Sequence, residues 1–238
     1  GQMESAVRIG CMANRYARIA MLHYADAKMQ AETIYHTADY DEMSILEDKL
    51  EEHCIIVVVF SAMALESYFN DYLADKMGDK FYYENFDMIR PTAKMQFIAK
   101  FIFHVKLDKG QHLYHSVDKL FKLRNQYVHN KSKDATKYGM TEEQLEKRKD
   151  VEPDFEAWSI HLKNNIKKEM EKAEEAVRAL CKTVKWIDQM DKNSYAMFWA
   201  LGAGGYAHYN EEERRKICQV QKEFGIPVIK EVSEKNAF

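Results

Sequence analysis

The sequence predicts an all-α bundle, and three observations carry that prediction. Only 9 Gly and 3 Pro occur in 238 residues, too few for a loop-rich or sandwich architecture. Charged residues make up 31%, which suits long solvated helix faces. Hydrophobic residues, 46% of the chain, recur at spacings of three and four, and the length suffices for one substantial core.

Residues 5 to 36 form the first predicted helix, with Val7, Cys11, Tyr16, Ile19 and Leu22/His23 at roughly helical spacing. "TADYDEM" interrupts, and "EDKLEEH" leads into a second helix over 54 to 77. That helix is apolar nearly all round at first and amphipathic later, which marks it as the central buried element. Gly78 ends it. Pro91 suits the first turn of "PTAKMQFIAKFIFHV", and "LDKGQ" breaks the chain after it. A helix from 111 to about 129 follows, with Leu113, Val117, Leu120, Phe121 and Val128 facing inward. Residues 132 to 154 are charged and read as an exposed insertion, with Thr141 and Gln144 placed as a capping box.

Asp154 is placed to cap the longest helix. Its apolar line runs Phe155, Trp158, Leu162, Ile166, Met170, Ala173, Val177, Leu180, Val184, Ile187. An aromatic patch, "YAMFWALGAGGYAHY", precedes Asn210, which is placed to cap "EEERRKICQVQKEF"; Gly225 and Pro227 supply the stop. The domain organisation expected is a helical bundle over 1–192 and a C-terminal helical extension over 193–238.

Composition also excludes functions. Cys11, Cys54, Cys181 and Cys218 show no CxxC pair and no disulfide framework, as expected of reduced thiols in a cytoplasmic protein. The longest apolar run, "CIIVVVFSAMAL", is too short to span a bilayer, and no secretion signal opens the sequence, so no membrane partner is expected. The net charge of −3 argues against indiscriminate nucleic-acid binding. Its distribution is uneven, however. Residues 94 to 137 hold ten Lys/Arg (Lys94, Lys100, Lys106, Lys109, Lys119, Lys122, Arg124, Lys131, Lys133, Lys137) against Asp108, Asp118 and Asp134, a local +7 that leaves −10 elsewhere. This stretch is either an ordinary solvated face or a phosphate-attracting surface.

Two motif matches are decoys. Gly202, Gly204 and Ala207 fit G-x-G-x-x-A, but no strand precedes them and no βαβ pattern surrounds them, so a turn between helices is expected. His104, Asp108, His112 and His115 would share a face only on an unbroken helix, and Gly110 breaks it. No metal and no cofactor is expected.

"KLFKLRNQYVHNK" carries more. Arginine followed by histidine five places on is weak by itself, since chance gives about one match in such a chain. Arg18–His23 and Arg124–His129 both qualify. Context separates them. Asn125 and His129, at i and i+4, share a helix face, so the amide is placed to orient the imidazole. Arg124 continues the line Leu113, Val117, Phe121, and a guanidinium on an apolar line requires a partner. On the central helix Ile55, Val59, Ala62, Glu66, Phe69 and Leu73 form an inward line interrupted by one carboxylate. Glu66 and Arg124 are therefore expected to meet, either as a packing ion pair or as the anchor of a functional arginine.

"SAMALESYFNDYL", followed some fifty residues later by "LFKLRNQYVHNK", resembles the HEPN superfamily of α-helical bundles. The resemblance covers roughly residues 50 to 190 and leaves the 132–154 insertion and the 193–238 extension unexplained. It implies an up-and-down bundle in which Arg124, Asn125 and His129 occupy the motif and Glu66 the acidic position. It further implies a homodimer and metal-independent RNA cleavage in toxin–antitoxin or antiviral systems, where a cognate antitoxin would be a partner. Tyr127, Lys122 and Lys131 stand beside the motif as candidate RNA contacts. The family also contains non-catalytic members, so the alternative is an interaction or regulatory module that binds protein, RNA or nucleotide. A purely structural protein acting through the long helix is the third reading.

Overall fold

The fold, a computed structural model, describes residues 11–129, 155–202 and 209–227, and it is helical throughout, with no strand among them. The 132–154 insertion with its proposed caps, Asp154, Val7, Lys131, Lys133, Lys137, Gly204 and Ala207 lie outside the described residues. Helix α1 spans Ala13–His36 and α2 spans Tyr40–Met77. Asp39 caps α2 by accepting the Glu42 N–H at 2.8 Å, so "TADYDEM" supplies the turn and the helix start together. At 38 residues α2 is about 57 Å long and runs unbroken through "EDKLEEH". Gly78 stops it with φ 84°, a conformation that favours glycine.

Short helices α3 (Asp79–Asn85) and α4 (Pro91–Phe97) follow, Pro91 in the first turn of α4. The helix continues as a π-turn over Ile98–Ile102, where the Phe103 N–H reaches the Ile98 carbonyl at 3.0 Å. His104 then takes a left-handed φ of 56°, which ends the helix earlier than "FIFHV" suggested. Helix α5 spans His112–Val128 and α6 spans Phe155–Met190. The tail adds α7 (Ala196–Leu201) and α8 (Glu211–Glu223). Asn210 and Glu213 form a full capping box at the start of α8, and Gly225 stops the chain beyond it at φ 64°.

α2 is the axis of the bundle. α1 lies along it as a hairpin partner, α6 packs on another side, and α5 fills the gap between α2 and α6. Met43, Leu50, Cys54, Val57, Val58, Ala62, Leu65, Phe69 and Leu73 are all buried along its length. α2 has the length and apolar composition to cross a membrane, and half of its most apolar stretch is buried inside the bundle. The apolar line anticipated on α6 is the buried one: Leu162, Ile166, Ala173, Val177, Leu180, Val184 and Ile187 are closed off from solvent. Helices α7 and α8 share this core, because they fold back on α1 and bury Ala200, Leu201, Ile217 and Val220.

Three expectations need correction. Among the described residues the buried face of α1 is Ala13, Ala17, Ala20, Met21, Tyr24, Ala27, Ala31 and Ile34. Tyr16, Ile19, Leu22 and His23 lie at its margin, because alanines let α1 sit close against α2. Val128, the last residue of α5, is 52% exposed, while its neighbour Tyr127 turns inward. Lys94 is 2% exposed and belongs to the interior, so it contributes nothing to a basic surface.

Cys54 and Cys181 are buried, and Cys11 and Cys218 partly so; all four are free thiols. Burial pushes the Cys54 and Cys181 thiols up to about 12, which leaves both unreactive at neutral pH. Phe69 fills the centre of the α2 core with no exposure. Phe69→Ala is expected to lower stability by about 3–5 kcal/mol, read as a fall in urea midpoint at constant slope.

Candidate functional site

The two interrupted apolar lines meet. Arg124 Nη2 on α5 donates to Glu66 Oε2 on α2 at 2.9 Å, the side chains being 22% and 33% exposed. The guanidinium also lies over the Phe121 ring, 5.6 Å from its centroid. The reason is local to each helix. Glu66 follows Ala62 by one turn and precedes Phe69 and Leu73, so its carboxylate is carried inward with them. Arg124 follows Phe121 in the same way. A charge on either face without the other would be left in a poorly solvated groove, so each helix supplies the condition the other needs. The pair uses one end of the guanidinium. Arg124 Nε–H is enclosed and has no hydrogen-bond partner among the described residues, which leaves donor capacity in the planar fork.

A cluster of polar groups that the sequence does not announce gathers on Asn70, one turn beyond Glu66. Lys94 Nζ donates to Asn70 Oδ1 at 2.6 Å and to the Asp87 carbonyl at 2.7 Å. Tyr82 donates its hydroxyl to the same Asn70 oxygen at 2.8 Å. Burial lowers the Lys94 pKa from its ordinary value, while the negative charges of Glu66 and Asp87 oppose that shift. The available signal was "ESYFN": Glu66 and Asn70 are one turn apart on an otherwise apolar face. A lysine four places into a proline-started helix gave no comparable sign.

The remaining motif residues are distributed unevenly. His129 closes α5: its N–H donates to the Asn125 carbonyl at 3.0 Å, and its side chain is exposed. Asn125 is also exposed. The amide-to-imidazole hydrogen bond anticipated between them does not form among the described residues, and main chain alone joins them. Tyr127 turns its hydroxyl inward to Glu169 Oε2 on α6 at 3.1 Å, and burial beside that carboxylate raises its pKa. It fastens α5 to α6 and does not present a free ring face, since the Lys172 ammonium lies 6.0 Å from its centroid. Lys122 is solvent-exposed and paired with Asp118 at 2.7 Å. Lys131 lies outside the described residues.

Beside the motif, α5 and α6 enclose a cleft of about 300 Å³ lined by His112, His115, Ser116, Lys119, Lys172 and Arg178. Leu123, the neighbour of Arg124, forms part of its wall. Its cations are held by carboxylates: Lys119 by Glu175, Lys172 by Glu169 and Arg178 by Glu174. Of His104, Asp108, His112 and His115, the two histidines His112 and His115 fall in this cleft. His104 lies apart from it, beyond the turn at Gly110.

A different polar cluster sits between α1 and α2. His23 Nδ1 and His53 Nδ1 are 2.7 Å apart, and ligand atoms of His23, Asp26 and His53 lie within 4.8 Å of one another. Burial and His53 lower the His23 pKa, opposed by Asp26. The only sequence signal was the i, i+3 spacing of His23 and Asp26, because His53 arrives from thirty residues on.

The chain has no significant match among protein-family models, curated proteins or solved structures. Its candidate site is therefore read from these residues themselves.

The Glu66–Arg124 contact is expected to show a coupling of about 1–3 kcal/mol in a double-mutant cycle of Glu66→Ala and Arg124→Ala, measured by chemical denaturation. Asn70→Ala removes the acceptor shared by Lys94 and Tyr82 and is expected to cost about 1–3 kcal/mol in the same measurement.

Proposed function

We propose that this protein is a metal-independent endoribonuclease of the HEPN type, acting as a cytoplasmic homodimer in a toxin–antitoxin or antiviral-defence setting. The observation that carries the reading is the Glu66–Arg124 ion pair at 2.9 Å. Two apolar helix faces each bear one inward charge, the charges meet, and a histidine follows on the same helix as an exposed cap. The adjoining cleft adds two histidines, His112 and His115, beside three cations that carboxylates already hold.

The chemistry follows from RNA itself. The ribose 2′-OH lies beside the phosphate it attacks, so no metal-bound water is needed. An imidazole accepts the 2′-OH proton, the 2′ oxygen bonds to phosphorus, and the bond from phosphorus to the 5′ oxygen breaks. A second imidazole, the partner's His129, donates the proton that the departing 5′ oxygen takes up. Arg124, with Glu66 holding one side of its fork, offers its other N–H groups to the phosphoryl oxygens as negative charge builds on them. Asn125 borders that space, and Tyr127 acts through the fastening of α5 to α6. Lys122, exposed beside Asp118, is the lysine assigned to flanking phosphates, and the resemblance adds Lys131.

His129→Ala is expected to slow cleavage of single-stranded RNA by about 100-fold or more, with affinity nearly unchanged. Arg124→Lys keeps the charge but loses the two-pronged contact and is expected to cost about 10²–10³ in rate. EDTA should leave wild-type cleavage intact, and a substrate with 2′-deoxyribose at the scissile position should remain whole. Equal cutting by His129→Ala protein removes the proposal. Wild-type protein that binds RNA without cutting it would assign the non-catalytic HEPN-like module instead.

A further inference from the structure

We propose that His23, Asp26 and His53 bind a divalent first-row transition cation of the zinc class where α1, α2 and α8 meet. The site is separate from the arginine–histidine motif. His53 and Glu66 are thirteen residues apart on one straight helix, about 20 Å at the helical rise.

The donor set comes from two helices. His23 and Asp26 are one turn apart on α1, so both side chains project to one side. His53 enters from α2, which the hairpin lays alongside α1. The two imidazoles stand with ring centroids 5.0 Å apart and a 45° tilt, both Nδ1 atoms turned towards each other at 2.7 Å. Imidazole nitrogens face one another only when they share a proton or a cation. Two nitrogens bound to one zinc at about 2.0–2.1 Å and a tetrahedral angle stand about 3.3–3.4 Å apart, so the rings need to part by roughly 0.7 Å. Rotation about the side-chain bonds of two partly buried histidines supplies that distance. With both rings neutral, the shared proton moves to Nε2 of its own ring, and both Nδ1 lone pairs then face the ion.

α8 completes the surroundings. Lys216 donates to Asp26 Oδ1 and to Glu212 Oε1, each at 2.9 Å, leaving Oδ2 as the second oxygen of the Asp26 carboxylate. A cleft of about 320 Å³ lies on the α8 side of His23 and Asp26, walled also by Glu212, Glu213 and Lys216. The Lys216 ammonium opposes a cation electrostatically, and the carboxylates of Asp26 and Glu212 offset it. Two imidazole nitrogens and one carboxylate oxygen are a donor set suited to zinc, cobalt and nickel rather than to magnesium or calcium, which take oxygen ligands. Three protein ligands leave a fourth position for water.

Untagged, chelator-dialysed full-length protein is titrated with ZnCl₂ by calorimetry, and with CoCl₂ for its visible absorption. The expected result is one site per chain and a Co²⁺ spectrum of a low-coordinate nitrogen–oxygen site. His53→Gln and His23→Gln should each weaken Zn²⁺ binding by more than about 100-fold, beyond the loss usual for an outer partner. Lys216→Met, which removes the opposing charge, should tighten it. His112→Gln/His115→Gln protein should bind as the wild type does. Circular dichroism confirms that each variant is folded, and the Co²⁺ spectrum reads the wild-type site without any substitution. No binding by the wild type, or binding lost only when His112 and His115 are changed, overturns the proposal; the bare imidazole pair is then a hydrogen bond alone.

Discussion

A carboxylate and a guanidinium on neighbouring helix faces constrain how α5 sits against α2. Glu66 and Arg124 sit in a groove where neither charge is fully hydrated. Apolar side chains tolerate sliding by a turn, since one leucine replaces another at modest cost. An ion pair does not, because a slip of one turn separates the charges and leaves both stranded. The contact therefore fixes the register of α5 against α2, and with it the place where α5 ends and His129 is presented. Asn70, Lys94 and Tyr82 extend the same constraint to α3 and α4. Tyr127 and Glu169 extend it to α6.

Much of this could be read from the sequence because it is punctuated. Gly78, Pro91, Gly110, Asn210 and Gly225 each impose a backbone or capping requirement that holds wherever they occur, and each marks an element boundary. The α6 core line was legible for a related reason, being long and strictly periodic. The pairing of Glu66 with Arg124 could be anticipated because a charge on an apolar line has few ways to be satisfied.

What escaped did so for physical reasons. The inner face of α1 is mostly alanine, which carries little hydrophobic signal yet allows the closest helix approach. Lys94 looks like any surface lysine until Asn70 and the Asp87 carbonyl close on its ammonium. Val128 reads as core by spacing, yet in the last turn of α5 it is Tyr127 that turns inward, to Glu169. His23 and His53 come together only through the α1–α2 hairpin, and no local pattern encodes a meeting across thirty residues. Local chemistry announces where elements stop, whereas convergence of distant polar groups becomes visible only with the packing.

The return of the tail onto α1 bears on how the polypeptide can be divided. Glu223 accepts the Tyr24 hydroxyl at 3.0 Å and the Lys28 ammonium at 2.8 Å, while Gln221, wholly enclosed, donates to the Leu201 carbonyl at 3.2 Å. Trimming the chain at residue 192, the boundary expected between bundle and extension, strips α1 of the Glu223 contacts and bares a strip of alanine and methionine to water. A fragment so made would be sticky and short of stability for reasons unrelated to its chemistry. Silence from it in an assay would say nothing about the intact molecule.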